Sequence, residues 1–294
     1  MAMEFGIFHE FPSLTGGSDA ESFAAAFDVV DGAEKWGLDA IWLAEHHFDG
    51  ICAYVDPLSF AAALATATSR IKIGFAVAQV SLHHPIRLAE QISLLDNITK
   101  GRIIAGLGRG TAYNIYDYQG YDIPAAEAQE RFEESEEIML KAWAGGPVEH
   151  HGKHWNLKLP MLRPRPYTQP HPFIIRSSGT EESMLEIAHR AQPFMMNVQS
   201  YDVTKHRMDL YRATLREKGL DEAKVARLVD DCWVWRNVTW RRPTLRPSGL
   251  ACRCSSRCSS SARRCASGCF RSRGCGCSRT RPGRPRRRRQ RRAR

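Results

Sequence analysis

The sequence predicts an α/β protein of the (β/α)8 TIM-barrel class. Along residues 1–240, seven short apolar runs alternate with longer segments of helical period. Parallel strands need crossover connections, which helices supply, so this alternation indicates a parallel sheet covered by helices. Because the runs show no central reversal, a barrel is favoured over an open, doubly wound sheet.

The individual elements follow from the apolar spacing. Strands are predicted over 4–8, 40–45, 71–80, 102–108, 172–177, 193–198 and 231–238. Helices are predicted near 20–36, 57–69, 86–98, 127–144, 181–191 and 203–218. In "PIRLAEQISLLDNI", for example, Ile86, Ala89 and Ile92 recur at the helical period. Segment 146–170 is too long for an ordinary connection and predicts an inserted loop or small hairpin over the barrel mouth.

The composition of residues 241–294 differs sharply from the rest. This tail holds 19 arginines, seven of the nine cysteines, and no Lys, Asp or Glu. The chain's net charge of +10 is therefore the sum of +19 in the tail and −9 in residues 1–240. With almost no aliphatic residues, the tail cannot bury enough surface to order itself. We interpret it as the product of a reading-frame change, which would leave the barrel incomplete at its C-terminus. The alternative is a basic arm that binds nucleic acid.

Other features of the sequence indicate the cellular location of the protein, whose barrel domain is predicted over residues 1–240. No run of about 18 apolar residues is present, so no membrane span is expected. The N-terminus lacks a basic segment before a long apolar stretch, which argues against a signal peptide. Cys52 and Cys232 are isolated cysteines, as expected in a reducing compartment. The sequence predicts a cytoplasmic protein.

Three titratable residues end the second predicted strand, in "IWLAEHHF". Active sites of barrels lie where strands end and helices begin. Glu45, His46 and His47 are therefore expected to face the barrel mouth, where a histidine can move protons near neutral pH. The alternative is that the imidazoles only cap a helix or bond to backbone.

Two further strand ends have the chemistry of anion sites. "GLGRGTAYN" (106–114) follows the fourth strand; its glycines permit close backbone approach, and Arg109 offers a fork suited to phosphate. "RSSGTEES" (176–183) follows the fifth strand and opens a helix whose free N–H groups can hold an anion. The two loops could converge on one phosphate. A solvated arginine and ordinary helix capping are the alternatives.

These segments resemble a known family. "WLAEHHF", "HPIRLAEQISLLDNITKGRIIAGLGRG" and the helix-opening "SSGT" are similar, in order and spacing from Met3 to about Val238, to bacterial luciferase-like flavin-dependent monooxygenases. The resemblance implies a (β/α)8 barrel that binds FMN, or in some branches a deazaflavin, at the carboxyl ends of the strands.

The resemblance also implies roles for individual residues. His46 corresponds to the active-site histidine beside the flavin ring, and Ala76–Val77 falls where the family has a non-prolyl cis peptide beneath that ring. The residues implied to bind the cofactor are Glu45, Ala76, Val77, Arg109, Gly110, Thr111, Ser177, Ser178 and Thr180. Phe8, Trp42 and Phe75 are expected to form an apolar wall that faces the substrate and excludes water.

The implied chemistry is monooxygenation. Reduced FMN, delivered by a separate flavin reductase, would react with O2 to form a C4a-peroxyflavin, which oxygenates a small organic substrate. A deazaflavin-dependent oxidoreductase that transfers hydride on the same fold is the alternative, and so is an inactive, truncated barrel with a nucleic-acid-binding tail. Homodimers are common in the family, and no metal site is expected. The substrate is left open by the sequence.

Overall fold

A computed structural model describes residues 3–10, 17–48, 50, 53–110 and 115–238. The chain divides into two units, 1–237 and 238–294. The second unit lies, except for Val238, outside the described residues, as does the predicted tail. The assignment of the tail to a reading-frame change or a basic arm therefore stays a prediction.

The first half of the barrel follows the predicted alternation of strands and helices. Its elements are β1 (Gly6–Phe8), α1 (Asp19–Lys35), β2 (Ala40–Leu43), α2 (Pro57–Ala67), β3 (Lys72–Phe75), β4 (Ala78–Gln79), a 3-10 turn (Val80–Leu82), α3 (Pro85–Thr99) and β5 (Ile103–Gly108). Helices α1 and α2 are N-capped by Ser18 and Asp56, whose side chains accept hydrogen bonds from the first turn. The predicted run 71–80 is divided into β3 and β4 around Ala76 and Val77.

The second half adds two helices that the sequence analysis did not predict, α4 and α8. Its elements are α4 (Ile115–Gly120), a 3-10 turn (Ala125–Glu127), α5 (Ala128–Ala144), β6 (Val148–His151), β7 (Asn156–Leu159), β8 (Phe173–Ser178), α6 (Glu181–His189), β9 (Phe194–Met196), α7 (Tyr201–Glu217), α8 (Glu222–Asp230) and β10 (Trp233–Val234). Strands β6 and β7 pair antiparallel, which confirms the hairpin option for segment 146–170. No helix in the described ranges has both the length and the apolar character needed to cross a membrane.

A curled parallel sheet organises these elements. Its strand order is β1-β2-β3-β5-β8-β9-β10, with β4 also paired to β5, and every neighbouring pair runs parallel. All connections along this path are therefore crossovers, as the alternation of strands and helices predicted. The carboxyl ends of the strands meet at one end of the sheet, which is where a barrel places its site.

Side chains alternate between two cores along each strand. Trp42, Ile104 and Ile175 pack together on the inner, concave side of the sheet, whereas Ile41 and Ile174 belong to the larger core beneath the helices. The predicted apolar wall is therefore partly wrong: Phe8 and Trp42 face inward, but Phe75 packs in the helix-side core. Its position on β3, one residue after the inward Gly74, directs it outward.

Trp42 occupies space that two glycines leave open on the adjacent strands. A Cβ on Gly6 would lie 2.8 Å from Trp42 Nε1, and one on Gly74 would overlap the six-membered part of the indole. The Trp42 ring also meets Trp233 edge-on, with ring centroids 5.0 Å apart. Phe8 contacts Trp235 in a tilted arrangement, with centroids 4.3 Å apart. Aromatic side chains of β1 and β2 thus pack against Trp233 on β10 and Trp235 just after it.

Candidate functional site

The end of β2 sends Glu45 and His46 to opposite sides of the sheet. Continuing the alternation, Glu45 follows the outward pair Ile41 and Leu43, and His46 follows the inward Trp42 and Ala44. Glu45 and His47 are buried, whereas the side chain of His46 is 18% exposed. The expectation that all three residues of "EHH" face the mouth stays a prediction.

Glu45 is held by three N–H donors. The Nε2 atoms of His47 and His83 lie 2.9 and 2.8 Å from Oε1, and the Gln79 backbone N–H donates to Oε2 at 2.6 Å. Burial acts to raise the pKa of Glu45, but these donors overcome it and lower the pKa to about 2. Glu45 is therefore an anion that organises its neighbours. His46, the histidine nearest the mouth, does not take part in these hydrogen bonds.

His46 faces Glu10, a residue that the sequence analysis did not select. Its Nε2 lies 3.6 Å from Glu10 Oε1. The hydrogen bond from His46 lowers the pKa of Glu10 against the effect of burial, so the carboxyl is ionised at neutral pH. Glu10 lies two residues beyond the inward Phe8. The same alternation that orients His46 would have identified Glu10 on the neighbouring strand.

Three strand ends meet on the inner side of the sheet. The peptide bond between Ala76 and Val77 is cis, as the resemblance implied. A Cβ on Gly108 would lie 2.7 Å from Val77 Cγ2 and 3.0 Å from Ser177 Oγ. Gly108 therefore allows Val77 and Ser177 to approach each other across the end of β5. The structure thus brings together Val77 and Ser177, which the sequence analysis had placed on separate motifs.

Arg109 and Gly110 follow directly. The Arg109 side chain is exposed and makes no hydrogen bond or ion pair with any described residue, although its backbone oxygen accepts from the Tyr118 hydroxyl. Gly110 has a positive φ of 82°, which favours glycine. Thr111, also predicted to bind the cofactor, lies outside the described residues. An exposed guanidinium without a described partner, one residue after Gly108, is suited to an anion.

The hydroxyl groups at the end of β8 differ in their surroundings: one caps helix α6, one is buried, and one is exposed at the barrel mouth. Thr180 caps α6 by accepting from the Ser183 N–H at 3.1 Å. Ser178 is buried, and its hydroxyl donates to the Thr180 backbone oxygen at 2.9 Å. Ser177 is exposed, and its hydroxyl has no hydrogen-bond partner among the described residues. The capping alternative therefore accounts for Thr180, while Ser177 is available to a ligand.

The family model described as luciferase-like monooxygenase matches residues 3–237. The chain belongs to this family. The match covers every described strand and helix, so the resemblance carried by "AEHHF" and "GLGRG" is confirmed along with the barrel fold.

Relatives in the family are flavin-dependent monooxygenases. The chain is 28% identical over 232 residues to the alkanal monooxygenase alpha chain of the Kryptophanaron alfredi symbiont, covering 76% of this chain and 62% of the relative. It is 33% identical over 148 residues to limonene 1,2-monooxygenase of Rhodococcus erythropolis, covering 50% of this chain and 37% of the relative. The chain thus spans less than two thirds of each relative's length.

Solved structures give the same fold. The oxygenating constituent of 3,6-diketocamphane monooxygenase of Pseudomonas putida, in complex with FMN, aligns with a TM-score of 0.67 and 26% identity, over 76% of this chain and 66% of that one. An F420-dependent secondary alcohol dehydrogenase aligns with a TM-score of 0.63 at 19% identity, over 76% and 67% of the two chains, and shows the fold alone.

The described residues fit a flavin mononucleotide. Gly108 has no side chain and lies against Val77, so the Ala76–Val77 peptide and Ser177 come together at one strand end, and Arg109 and Ser177 offer donors without a partner among the described residues for a phosphate. A buried acceptor without a partner, Gln79 Oε1, lies against Gly110 at the same strand ends. No cluster of three or more potential metal ligands occurs in the part of the chain that the structure describes.

Proposed function

We propose that this protein is a flavin-dependent monooxygenase that uses reduced FMN and O2 to oxygenate a small organic substrate. The observation that carries the proposal is the convergence of Val77, Gly108 and Ser177 at the end of β5, which the exposed Arg109 directly follows. Family membership supports the reaction class. Reduced FMN, when bound, supplies the electrons that activate O2 so that one oxygen atom can pass to the substrate.

Each side of the site has its own task in this proposal. The inner surface at Ala76–Val77 supports the flavin ring. Arg109, with Gly110 and Thr111, binds the phosphate from one side, and Ser177, with the loop of Ser178 and Thr180, binds it from the other. The aromatic interior around Trp42 and Trp233 excludes water from the reacting end of the ring.

His46 is proposed as the residue that holds or moves a proton at the ring. Its imidazole faces inward at the mouth, and the ionised Glu10 orients the ring through Nε2. Glu45 was predicted to bind the cofactor. Because its side chain is only 1% exposed and both oxygens accept hydrogen bonds from the protein, we propose that it acts through the residues it holds.

A His46→Ala variant tests the proton role. We expect FMN binding to change less than about threefold, since His46 is not a phosphate ligand. The fraction of reduced flavin converted to product should fall by about 10²-fold, the usual contribution of a general acid or base. FMN fluorescence titration and product yield per reduced flavin measure the two effects.

His189→Ala is the matched control for this test. His189 is exposed at the end of α6, at the opposite end of the barrel. Product yield should be unchanged in this variant. If His46→Ala and His189→Ala gave the same yield per reduced flavin, His46 would have no part in the reaction.

The cofactor and the partner proteins are tested separately. The absorbance spectrum of the bound, oxidised cofactor distinguishes FMN from the deazaflavin alternative. A flavin reductase is proposed as the electron source. The trigonelline monooxygenase of Acinetobacter baylyi, 30% identical over 142 residues, is named as an oxygenase component. A homodimer is also proposed, and its molecular mass in solution tests it.

A further inference from the structure

Gln79 has a buried amide oxygen that no group in the described part of the chain satisfies. Its side chain lies at the end of β4, two residues after the cis peptide, and only 2% of the residue is exposed. Oε1 is one of four buried side-chain polar atoms without a hydrogen-bond partner among the described residues. Leaving such an atom unpaired carries a real cost, so its position calls for an explanation.

The rest of the amide is fixed by its neighbours. Nε2 donates to the Glu45 backbone oxygen and to Asp117 Oδ2, both at 2.8 Å, and the Gln79 backbone N–H donates to Glu45 Oε2. Both partners of Nε2 are acceptors, so the amide cannot be flipped without losing two hydrogen bonds. Oε1 is therefore held in one direction.

That direction is toward the loop that follows β5. A Cβ on Gly110 would overlap Gln79 Oε1, which means that the oxygen lies directly against the Gly110 backbone. The same loop is held from α4, where the Tyr118 hydroxyl donates to the Arg109 backbone oxygen. Asp117 and Tyr118 are adjacent on α4. Gln79 and α4 thus support the backbone of Arg109 and Gly110 from below, while the Arg109 side chain stays unpaired.

We infer that Gln79 is a positioning residue for the phosphate side of the cofactor site. Its amide oxygen accepts a hydrogen bond from the Arg109–Gly110 backbone when a bound phosphate draws that loop inward, so the phosphate completes the partnering of Oε1. The inference rests on the proposed function. It adds that Gln79 sets the preference for FMN over riboflavin, which has the same ring system and ribityl chain without the phosphate.

The test compares the two flavins in Gln79→Leu and wild type. Dissociation constants for oxidised FMN and riboflavin are measured by fluorescence titration of the full chain. We expect Gln79→Leu to bind FMN about tenfold more weakly, because the backbone of Arg109 and Gly110 loses the support of the amide, and to bind riboflavin as wild type does. A merely structural role would weaken both flavins equally, and that result would overturn the inference.

Two further variants make the result specific. Gln192→Leu removes a second glutamine with an unpartnered Oε1, located before β9 at the opposite end of the barrel, and should leave both dissociation constants unchanged. Arg109→Ala should weaken FMN binding directly. In the Arg109→Ala background, Gln79→Leu should have less than about twofold further effect, because the two residues act through one loop. Independent, additive effects would contradict the positioning role.

The failure of the inference and of the proposed function are distinguishable. If wild type binds neither FMN nor riboflavin, the proposed function fails and the inference falls with it. If wild type prefers FMN and Gln79→Leu retains that preference, only the inference is wrong. Thermal unfolding of each variant, together with retained riboflavin binding, shows that the variant is folded.

Discussion

Two buried glutamates on the helix side of the sheet show how differently one protein can treat the same side chain. Glu45, at the end of β2, receives three directed hydrogen bonds, and its pKa falls to about 2. Glu136, on α5, lies 3.2 Å from Arg176 Nε and 3.3 Å from Arg190, yet burial raises its pKa above the ordinary value despite both arginines. Directed donors stabilise the anion more than nearby charge does.

The geometry explains the difference. Although Arg176 Nε is close to Glu136 Oε1, this oxygen receives no hydrogen bond from any described residue, and the guanidinium also packs over the Phe132 ring, 4.7 Å from its centroid. The Glu136 pair therefore has the proximity of a salt bridge without the full set of hydrogen bonds that would repay desolvation. The Glu45 cluster has both the close approach of its partners and the hydrogen bonds to its two oxygens.

The largest effect is expected at Glu45. In Glu45→Gln, one oxygen replaces the two that now serve His47, His83 and Gln79, so at least one donor faces another donor. The free energy of unfolding should fall by about 4 kcal/mol at pH 7, as when a buried charged partner is removed. Urea unfolding measures it. Glu137→Gln, exposed on α5, is the control and should change stability by under about 0.5 kcal/mol.

Lowering the pH should reduce the difference in the free energy of unfolding between wild type and Glu45→Gln. Because the folded pKa of Glu45 lies below its ordinary value of 4.5, its stabilising effect is present above pH 4.5 and lost as pH falls toward 2. The gap between wild type and Glu45→Gln should therefore narrow over that interval, by about 3 kcal/mol in total. A gap that stays constant down to the acid limit would mean that charge is not what Glu45 contributes.

A smaller effect is expected from removing the Glu136 pair as a unit. Glu136→Leu alone leaves Arg176 buried without its anion and should cost about 3 kcal/mol. The double variant Glu136→Leu/Arg176→Met replaces both groups by apolar side chains of similar size. Its stability should lie within about 1 kcal/mol of wild type. A double variant as unstable as the single one would show that this pair, like Glu45, is required for the fold.

The smallest effect is expected at His83, the partly exposed member of the Glu45 cluster. Burial acts to lower the pKa of His83, but Glu45 raises it above its ordinary value of 6.5. Such a group stabilises the fold below pH 6.5, and the contribution is lost as pH rises through the folded pKa. His83→Gln should therefore cost more at pH 5.5 than at pH 8, by up to about 1 kcal/mol. A cost that is equal at the two pH values would exclude a charge effect.

Much of the fold was predictable because its strands are apolar and regularly spaced. Ile86, Ala89 and Ile92 mark α3, and the run ending at Gly108 marks β5. Helix α8 was missed, although Asp221 caps it and Val225 is buried, because it is only nine residues long and four charged residues interrupt its apolar ones. The division of 71–80 into two strands depends on a local backbone conformation that apolar periodicity does not encode.

The sequence predicted which strand ends carry the candidate site, but only partly in which direction the side chains point. Arg109 and Ser177 could be selected because strand ends meet at one edge of a parallel sheet. The strand alternation that sends His46 inward and Glu45 outward was available in the sequence but not applied. Gln79 was beyond reach, because its role depends on Asp117 and Gly110, which the fold brings to it from separate elements.

The indole of Trp42 also bears on how this barrel can evolve. Because the Trp42 ring fills the space that a side chain at Gly6 or Gly74 would need, the residues at positions 6, 42 and 74 must change together. Alanine at 6 or 74 is excluded while tryptophan occupies 42, and a smaller residue at 42 would leave a cavity while both glycines remain. A lineage that changes the shape of this interior must therefore pass through compensating changes on three neighbouring strands.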